Sequence, residues 1–300
     1  MISTLTVSGS LIVSGGLTVN QLARKGNLVV HLDASPSTYT AYNFNSGSRN
    51  GTSASILDWP NRWTDLSGNN NHAFPISCSS TSLPNMSSNG MLLYTSSAFP
   101  FISSSLNNSV NINTWGSSSP NRYSALRLNP IQETTGPLSV FLWIRPKNNT
   151  ALAQNFYINK RSNVTSLIPG VGCQWQINGG TSARFYGSVS YTGSIIDFAV
   201  ASSSATYSNN IWYNVGFTLT GPNVGDTITL YVNGKQDGIP TTLTNNVIFG
   251  SRQIIIGRND WASTSNMMNA DLSQVLIYNT CLTPQEVQNN YQITKYKHQT

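Results

Sequence analysis

Charge is what this sequence has least of. Only 9% of its 300 residues are Asp, Glu, Lys or Arg, against roughly 25% in an ordinary soluble domain. Acidic residues are the scarcer sign, ten against sixteen basic ones, for a formal net charge of +6. Glu occurs only at Glu133 and Glu286. A glycosidase needs two carboxylates about 5–10 Å apart across its substrate, and no predicted strand carries Glu-x-Asp or Glu-x-x-x-Glu. Gly-x-Ser-x-Gly elbows and phosphate loops are also missing. No catalytic residues and no enzymatic activity are therefore expected.

Other shortages exclude other classes. The three cysteines, Cys78, Cys173 and Cys281, are odd in number and far apart, without Cys-x-x-Cys spacing. They cannot make a disulfide framework or a zinc ribbon, and they read as small buried hydrophobes. His31, His72 and His298 show no metal-ligand spacing, so neither a metal nor a cofactor is expected. His31 and Asp33 share one face of a strand as a polar pair. The basic residues are scattered, with one small cluster at Lys295, Lys297 and His298. Nucleic-acid binding would need a basic stripe, so none is expected. No apolar run reaches 18 residues and the first residues carry no basic segment, so the sequence predicts neither a membrane span nor a signal peptide.

Ser, Thr, Asn and Gly take the place of charge, beside 39% hydrophobic and 10% aromatic residues. That much apolar side chain separates the chain from disordered sequences. The opening segment repeats with a period of six: Leu5-Thr6-Val7-Ser8-Gly9-Ser10, then Leu11-Ile12-Val13-Ser14-Gly15-Gly16, then Leu17-Thr18-Val19-Asn20. Within each unit Leu and Val are two apart and share one face of a strand, and Ser-Gly supplies the turn. Such hexads suit a β-solenoid or an intertwined shaft, and they also suit an ordinary pair of hairpins. About three rungs bury no core alone, so Leu5, Val7, Leu11, Val13, Leu17 and Val19 are candidate oligomerisation or anchoring residues. The arm is placed at 1–26 and the body at 27–300.

From residue 27 the pattern is strands between turn clusters. Strands are predicted at 28–32, 139–145, 154–159, 173–177, 183–186, 195–200, 211–219, 226–232, 253–256 and 272–278. Residues 35–55, 77–90 and 102–121 read as loops. Ile228, Leu230 and Val232 alternate with Thr229 and Tyr231. Asn233-Gly234 is the strongest short hairpin signal and is expected to join two long strands. Trp143 and Trp212 are expected between the sheets. Thr283-Pro284-Gln285-Glu286 makes a capping box with Pro at the first helical position, predicting one short helix that ends near Tyr296. The fold class is all-β: one antiparallel sandwich with about a dozen strands and a C-terminal helix.

Four ordered segments resemble the laminin G-like, concanavalin A-like jelly-roll family. They are Leu32-Asp33-Ala34 with Trp63-Thr64-Asp65-Leu66-Ser67-Gly68-Asn69-Asn70-Asn71-His72-Ala73; Leu138-Ser139-Val140-Phe141-Leu142-Trp143-Ile144-Arg145-Pro146; Trp212-Tyr213-Asn214-Val215-Gly216-Phe217-Thr218 with Leu230-Tyr231-Val232-Asn233-Gly234-Lys235; and Ile254-Ile255-Ile256-Gly257-Arg258 with residues 272–278 and Leu282-Thr283-Pro284-Gln285-Glu286-Val287. The resemblance implies a jelly-roll sandwich. Relatives that hold calcium carry acids in the last long strand, where this chain has Ser273 and Gln274. Asp271 is expected one step out of phase there, which speaks against a family-type calcium site.

Arm and sandwich together resemble structural proteins of large viruses and phages. The expectation is a virion structural protein on the capsid exterior: a decoration, minor capsid or fibre component. It would be homo-oligomeric through its arm, a trimer being one form, with other virion proteins as partners. The alternative is a lectin-like, carbohydrate-binding module for surface glycans. Its candidate residues are Asn259, Asp260 and Trp261, which follow a strand and so sit at a loop rim, and Trp115 in a second loop. A loop Trp also serves simply to cap a sandwich end.

Overall fold

The computed structural model describes residues 22–33, 39–40, 62–78, 101–103, 109–113, 123–128, 136–146, 154–159, 171–177, 183–191, 198–247, 254–256 and 269–298. These form two nine-stranded sheets in which the pairings are antiparallel. The first sheet holds β1 (Leu28–Asp33), β5 (Phe101–Ser103), β6 (Ser109–Asn113), β8 (Leu138–Pro146), β13 (Tyr213–Leu219), β14 (Thr227–Val232), β15 (Lys235–Gln236), β16 (Thr241–Thr242) and β18 (Asn269–Tyr278). Its order is β15-β14-β13-β8-β18-β6-β5, with β1 also beside β18 and β16 beside β14.

The second sheet holds β2 (Tyr39–Thr40), β3 (Arg62–Trp63), β4 (Ala73–Cys78), β7 (Tyr123–Leu128), β9 (Gln154–Asn159), β10 (Val171–Ile177), β11 (Ala183–Ser190), β12 (Phe198–Ser202) and β17 (Ile254–Ile256). Its order is β12-β11-β10-β9-β17-β7-β4-β3-β2. The sandwich class is as the sequence predicts. Segments read as loops nevertheless contribute β2, β5, β6 and the end of β4, and β7 was not predicted at all. Ser109-Val110-Asn111-Ile112-Asn113 alternates with too few apolar residues to register as a strand, and it pairs at the edge with β5 and β18.

The main core lies between the sheets, with Val140, Leu142, Ile144, Val215, Phe217, Ile228 and Leu230 facing Phe185, Val189, Leu128 and Ile256. Strand alternation puts the intervening residues on the outer face. There α1 (Pro284–Thr294) crosses the first sheet and seals a second core of Leu28, Phe141, Tyr231, Leu276, Tyr278, Leu282 and Val287. This corrects the placement of Trp143 and Trp212. Trp143 is out of phase with Val140, Leu142 and Ile144, so it lies on the outer face, where its Nε1 donates to Thr294 Oγ1 at 2.7 Å. Trp212 precedes β13 and packs beside it, not between the sheets. Gly216 permits the close approach of β8, since a Cβ there would stand 2.1 Å from the Val140 carbonyl oxygen.

The helix begins as its sequence dictates: Thr283 accepts from the Glu286 amide, and the Glu286 side chain accepts from the Thr283 amide. It ends at Thr294 and tightens into a 3-10 turn over Lys295–Lys297. At Asn233-Gly234 both residues have positive φ, 52° and 76°, as a type I′ turn demands. The returning strand β15 is only two residues long, however, so the expected pair of long strands is not formed. Cys281 is a free thiol, half-buried, and burial raises its pKa; Cys78 and Cys173 have undescribed side chains.

One buried carboxylate holds the β3–β4 turn to β1. Asp65 Oδ1 accepts from the His31 and Ser67 amides at 2.8 and 3.0 Å. Its Oδ2 accepts from Ser67 Oγ at 2.7 Å and the Asn71 amide at 2.9 Å. Asn69 and Asn71 donate onward to the Leu28 and Val29 carbonyls. The Asp-x-Ser-Gly-Asn pattern is thus explained by structure.

Candidate ligand-binding end and its surroundings

Register gives the sandwich two distinct ends. Along β18, Tyr278 pairs with Leu28 and Ser139, while Ala270 pairs with Pro146 and Ile112. The Tyr278 end carries the junction with the arm; the Asn269 end may be termed distal. The junction is pinned. Leu22 packs on the second core, the Ala23 amide donates to Asn290 Oδ1 at 2.8 Å, and Arg24 pairs with Glu286 at 2.6 Å. Asn290 spends its other amide atom on Tyr278 Oη, which explains a buried Asn in the helix. Leu5, Val7, Leu11, Val13, Leu17 and Val19 lie outside the described residues.

Trp115, Asn259, Asp260 and Trp261 also lie outside the described residues, but their attachment points do not. Trp115 belongs to the segment between β6 and β7, and Asn259, Asp260 and Trp261 to the segment between β17 and β18. Asn113, the last residue of β6, pairs with Asn269, the first of β18. Ile256, the last of β17, pairs with Leu126, the fourth of the six residues of β7. Both segments therefore join paired strands: β6 pairs with β18 at their ends, and β7 pairs with β17. β8 ends at the distal end, with Pro146 beside Ala270, and β13 begins there, with Tyr213 beside Ile144.

Next to that end, on the outer face of the first sheet, lies an aromatic and polar cluster the sequence did not reveal. Leu272 pairs with Ile144 and Gln274 with Trp143, so Ser273 is an extra residue in a β-bulge. A bulge re-aims side chains, and here both bulge residues reach outer-face partners. Ser273 Oγ lies 3.3 Å from His298 Nε2. Gln274 Nε2 lies 3.3 Å from Asp33 Oδ2 and 3.5 Å from His31 Nε2. His31 and Asp33 stand 3.9 Å apart, as the strand alternation predicts. The same bulge corrects the phase of Asp271: it pairs with Arg145, two residues from Trp143, so its register position is on the outer face, not out of step. Ser273 and Gln274 are 1% and 4% exposed, and neutral side chains suit positions sealed that tightly.

The seal is the turn that follows α1. The His298 imidazole stacks on Trp143 at 4.1 Å and 22° and leans on Trp212 at 4.7 Å. Arg145 stands over the Trp212 ring at 5.2 Å, a cation–π distance. The signal for this cluster is split between residues 143, 212, 273 and 298, so no local spacing announces it.

Several of the described carboxylates serve local structure. Asp226 accepts from Thr220 Oγ1 and the Asn223 amide. Asp237 accepts from Ser204 and from Tyr207 Oη. Burial alone would raise the Asp237 pKa, but the hydrogen bonds from Ser204 and Tyr207 hold it below the ordinary value. Burial, then the Asp237 partnership, pushes the Tyr207 phenol upward. Glu286 is likewise held low: burial opposes it, but the Thr283 amide and Arg24 prevail. Among the described residues no three His, Cys, Asp or Glu side chains gather as a metal would require, and no helix is long and apolar enough to cross a membrane.

Comparison with known proteins agrees with this architecture. Residues 118–288 match the Laminin_G_3 model, described as concanavalin A-like lectin/glucanases superfamily. Among solved structures, the binding domain of Paraclostridial Mosquitocidal Protein 1 matches 89% of this chain and 52% of its own, at 16% identity and a TM-score of 0.55. The binding domain of botulinum neurotoxin DC in complex with SialylT matches 89% and 51%, at 13% identity and a TM-score of 0.53. Domain 4 of AbnA, an extracellular arabinanase from Geobacillus stearothermophilus in complex with arabinotriose, matches 88% and 98%, at 14% identity and a TM-score of 0.53. The chain spans about half the length of the toxin binding domains it matches. These identities speak for the fold alone. A search of curated proteins returned no match.

Proposed function

This chain belongs to the concanavalin A-like lectin/glucanases superfamily, and from that membership we propose that it is a non-catalytic module that binds carbohydrate at the distal end of its sandwich. One observation carries the proposal. The strands that flank the segments bearing Trp115 and Asn259-Asp260-Trp261 are paired, β6 with β18 through Asn113 and Asn269 and β7 with β17 through Leu126 and Ile256. The segments that carry these two indoles in the sequence thus join strands that are paired with one another. Indole faces beside amide and carboxylate groups are the chemistry a sugar needs: C–H surfaces stack on the ring and hydroxyls take the polar groups. The ligands in two structural neighbours, arabinotriose and SialylT, are saccharide in kind and support the same class for this chain. The structural duties of Asp65, Asp226, Asp237 and Glu286 support a binding role over a hydrolytic one.

The test is a glycan array read with the full chain and with Trp261→Ala and Trp115→Ala. Binding that falls at least tenfold in either variant supports the proposal. An array with no hit, or hits indifferent to both substitutions, overturns it.

A second reading concerns what the module is attached to. The junction at Leu22–Arg24 sits at the end opposite the proposed ligand end. That polarity favours an arm that anchors or oligomerises the protein while the distal end is displayed, as on a virion exterior. The hexads supply the apolar face for such an anchor. Removing residues 1–20 should abolish self-association in light scattering; an unchanged mass would contradict the role.

A further inference from the structure

The outer face of the second sheet carries a pattern that neither the core nor the distal segments use. Along β11 burial alternates. Phe185, Gly187 and Val189 are buried toward the first sheet, while Arg184, Tyr186 and Ser188 are half-buried on the opposite phase. Strand β12 follows the same alternation, with Ala199 and Ala201 in the core and Val200 and Ser202 half-buried.

Antiparallel pairing carries these outer positions across the neighbouring strands in rows. Tyr186 pairs with Gln174 of β10, and Gln174 pairs with Phe156 of β9. A bulge on β9 leaves Tyr157 out of the pairing and so sets Phe156 in that row. The row on one side is Arg184, Gln176 and Gln154. The row on the other side is Ser188, Gly172 and Asn159.

The middle row thus places an aromatic residue, an amide and a second aromatic residue on three adjacent strands. Neighbouring strands lie about 4.8 Å apart, which sets the Tyr186 and Phe156 positions about 10 Å apart. One ring of an extended oligosaccharide takes up about the width of one strand, so alternate rings fall on alternate strands. We propose that this face is a second carbohydrate surface, which takes three consecutive rings of a linear oligosaccharide lying across the strands. Tyr186 and Phe156 supply the stacking faces for the first and third rings. Gln174 lies under the second, with an amide that donates to one hydroxyl and accepts from another. Arg184, Gln176 and Gln154 line one flank with further donors. Ser188 and Gly172 keep the other flank low.

The composition of the rows favours this occupant. They hold two aromatic residues and no aliphatic side chain, which is poorer than the apolar centre of a protein interface. Amides and hydroxyls beside rings are what a sugar needs. Arg184 is the single charge in the three rows and no carboxylate is among them, so neutral and carboxylate-bearing sugars both fit. The surface shares its ligand class with the distal end but none of its residues, so the two proposals fail separately.

The test is calorimetry on a chain in which Trp115→Ala and Trp261→Ala remove the distal contribution. Xylo- and galacturono-oligosaccharides of one to six rings are the probes. Affinity should rise about tenfold or more from one ring to three, then flatten. Adding Tyr186→Ala should weaken three-ring binding about tenfold or more, whereas Tyr186→Phe, which keeps the ring, should weaken it less than about threefold. Affinity that ignores length, or that Tyr186→Ala leaves unchanged, overturns the sheet-face surface. Binding by the wild type but not by the doubly substituted chain also overturns it, and leaves the distal site standing. Binding by neither overturns both.

Amide chemical shifts of the wild type with a saturating three-ring probe cover the case in which a variant misfolds. They should move at Gln174, Tyr186 and Ser188; shifts that spare β10 and β11 contradict the proposal.

Discussion

Arg24 and Glu286 meet at 2.6 Å, although 262 positions separate them in the sequence. The carboxylate belongs to the capping box that starts the helix, and the guanidinium belongs to the last residues before the body. The pair therefore joins the way into the sandwich to the cap of its closing helix. Arg24→Ala should cost less than about 1 kcal/mol of global stability, because the pair is half exposed. Hydrogen exchange at Ala23, whose amide is held by Asn290, should nevertheless rise clearly. An unchanged exchange rate would show that the pair does not hold the junction.

Asp65 is expected to be the most sensitive carboxylate. It accepts four hydrogen bonds, two of them from the His31 and Asn71 amides. Asp65→Ala leaves buried donors unpaired and should cost about 3 kcal/mol, seen as a drop of several degrees in Tm. Asp65→Asn keeps the shape and one acceptor and should cost less.

Gly216→Ala tests the close packing of β13 on β8. A Cβ would meet the Val140 carbonyl at 2.1 Å and the Phe141 ring at 2.4 Å. Backbone cannot move aside as a flexible side chain can, so a loss of about 3 kcal/mol or more is expected. Denaturant midpoints measure it. A loss under about 1 kcal/mol would mean that the two strands lie farther apart.

Acid should weaken the fold through Asp237 and Glu286. Both carboxyls have folded pKa values below their ordinary ones. The unfolded chain thus binds more protons in the acid range, and stability falls as pH falls. Their contribution is complete above about pH 5 and disappears as pH drops through the lowered folded values. Tyr207→Phe removes one donor to Asp237. It should raise the Asp237 pKa and cost about 1 kcal/mol at neutral pH, with less loss in acid. Tm against pH for the two proteins checks this, and parallel curves would contradict it.

Much of the body was legible because its strands are apolar-rich runs bounded by turn residues. Residues 139–145, 154–159 and 226–232 were predicted within one or two residues of β8, β9 and β14. The capping box at Thr283 was legible because it is local chemistry. Edge strands such as Ser109–Asn113 were not, since half-polar alternation in an Asn- and Ser-rich chain looks like loop. Trp143 shows a different failure. Strand β8 is apolar on both faces, so its sequence cannot say which face meets the other sheet and which meets a helix 140 residues away. The cluster around His298 was illegible for the same reason: its members meet through a bulge at Ser273 and the turn that follows α1. The candidate residues Trp115, Asn259, Asp260 and Trp261 could be chosen by residue type, but that the strands flanking their segments are paired follows only from the sheet register.

Hydrogen exchange with and without the best array glycan tests the central claim most directly, because it locates the bound sugar on the chain. Protection should concentrate in peptides spanning 114–122 and 257–268, at the distal strand ends. Protection confined to residues 22–28 and 279–287, at the junction end, would contradict a distal binding site.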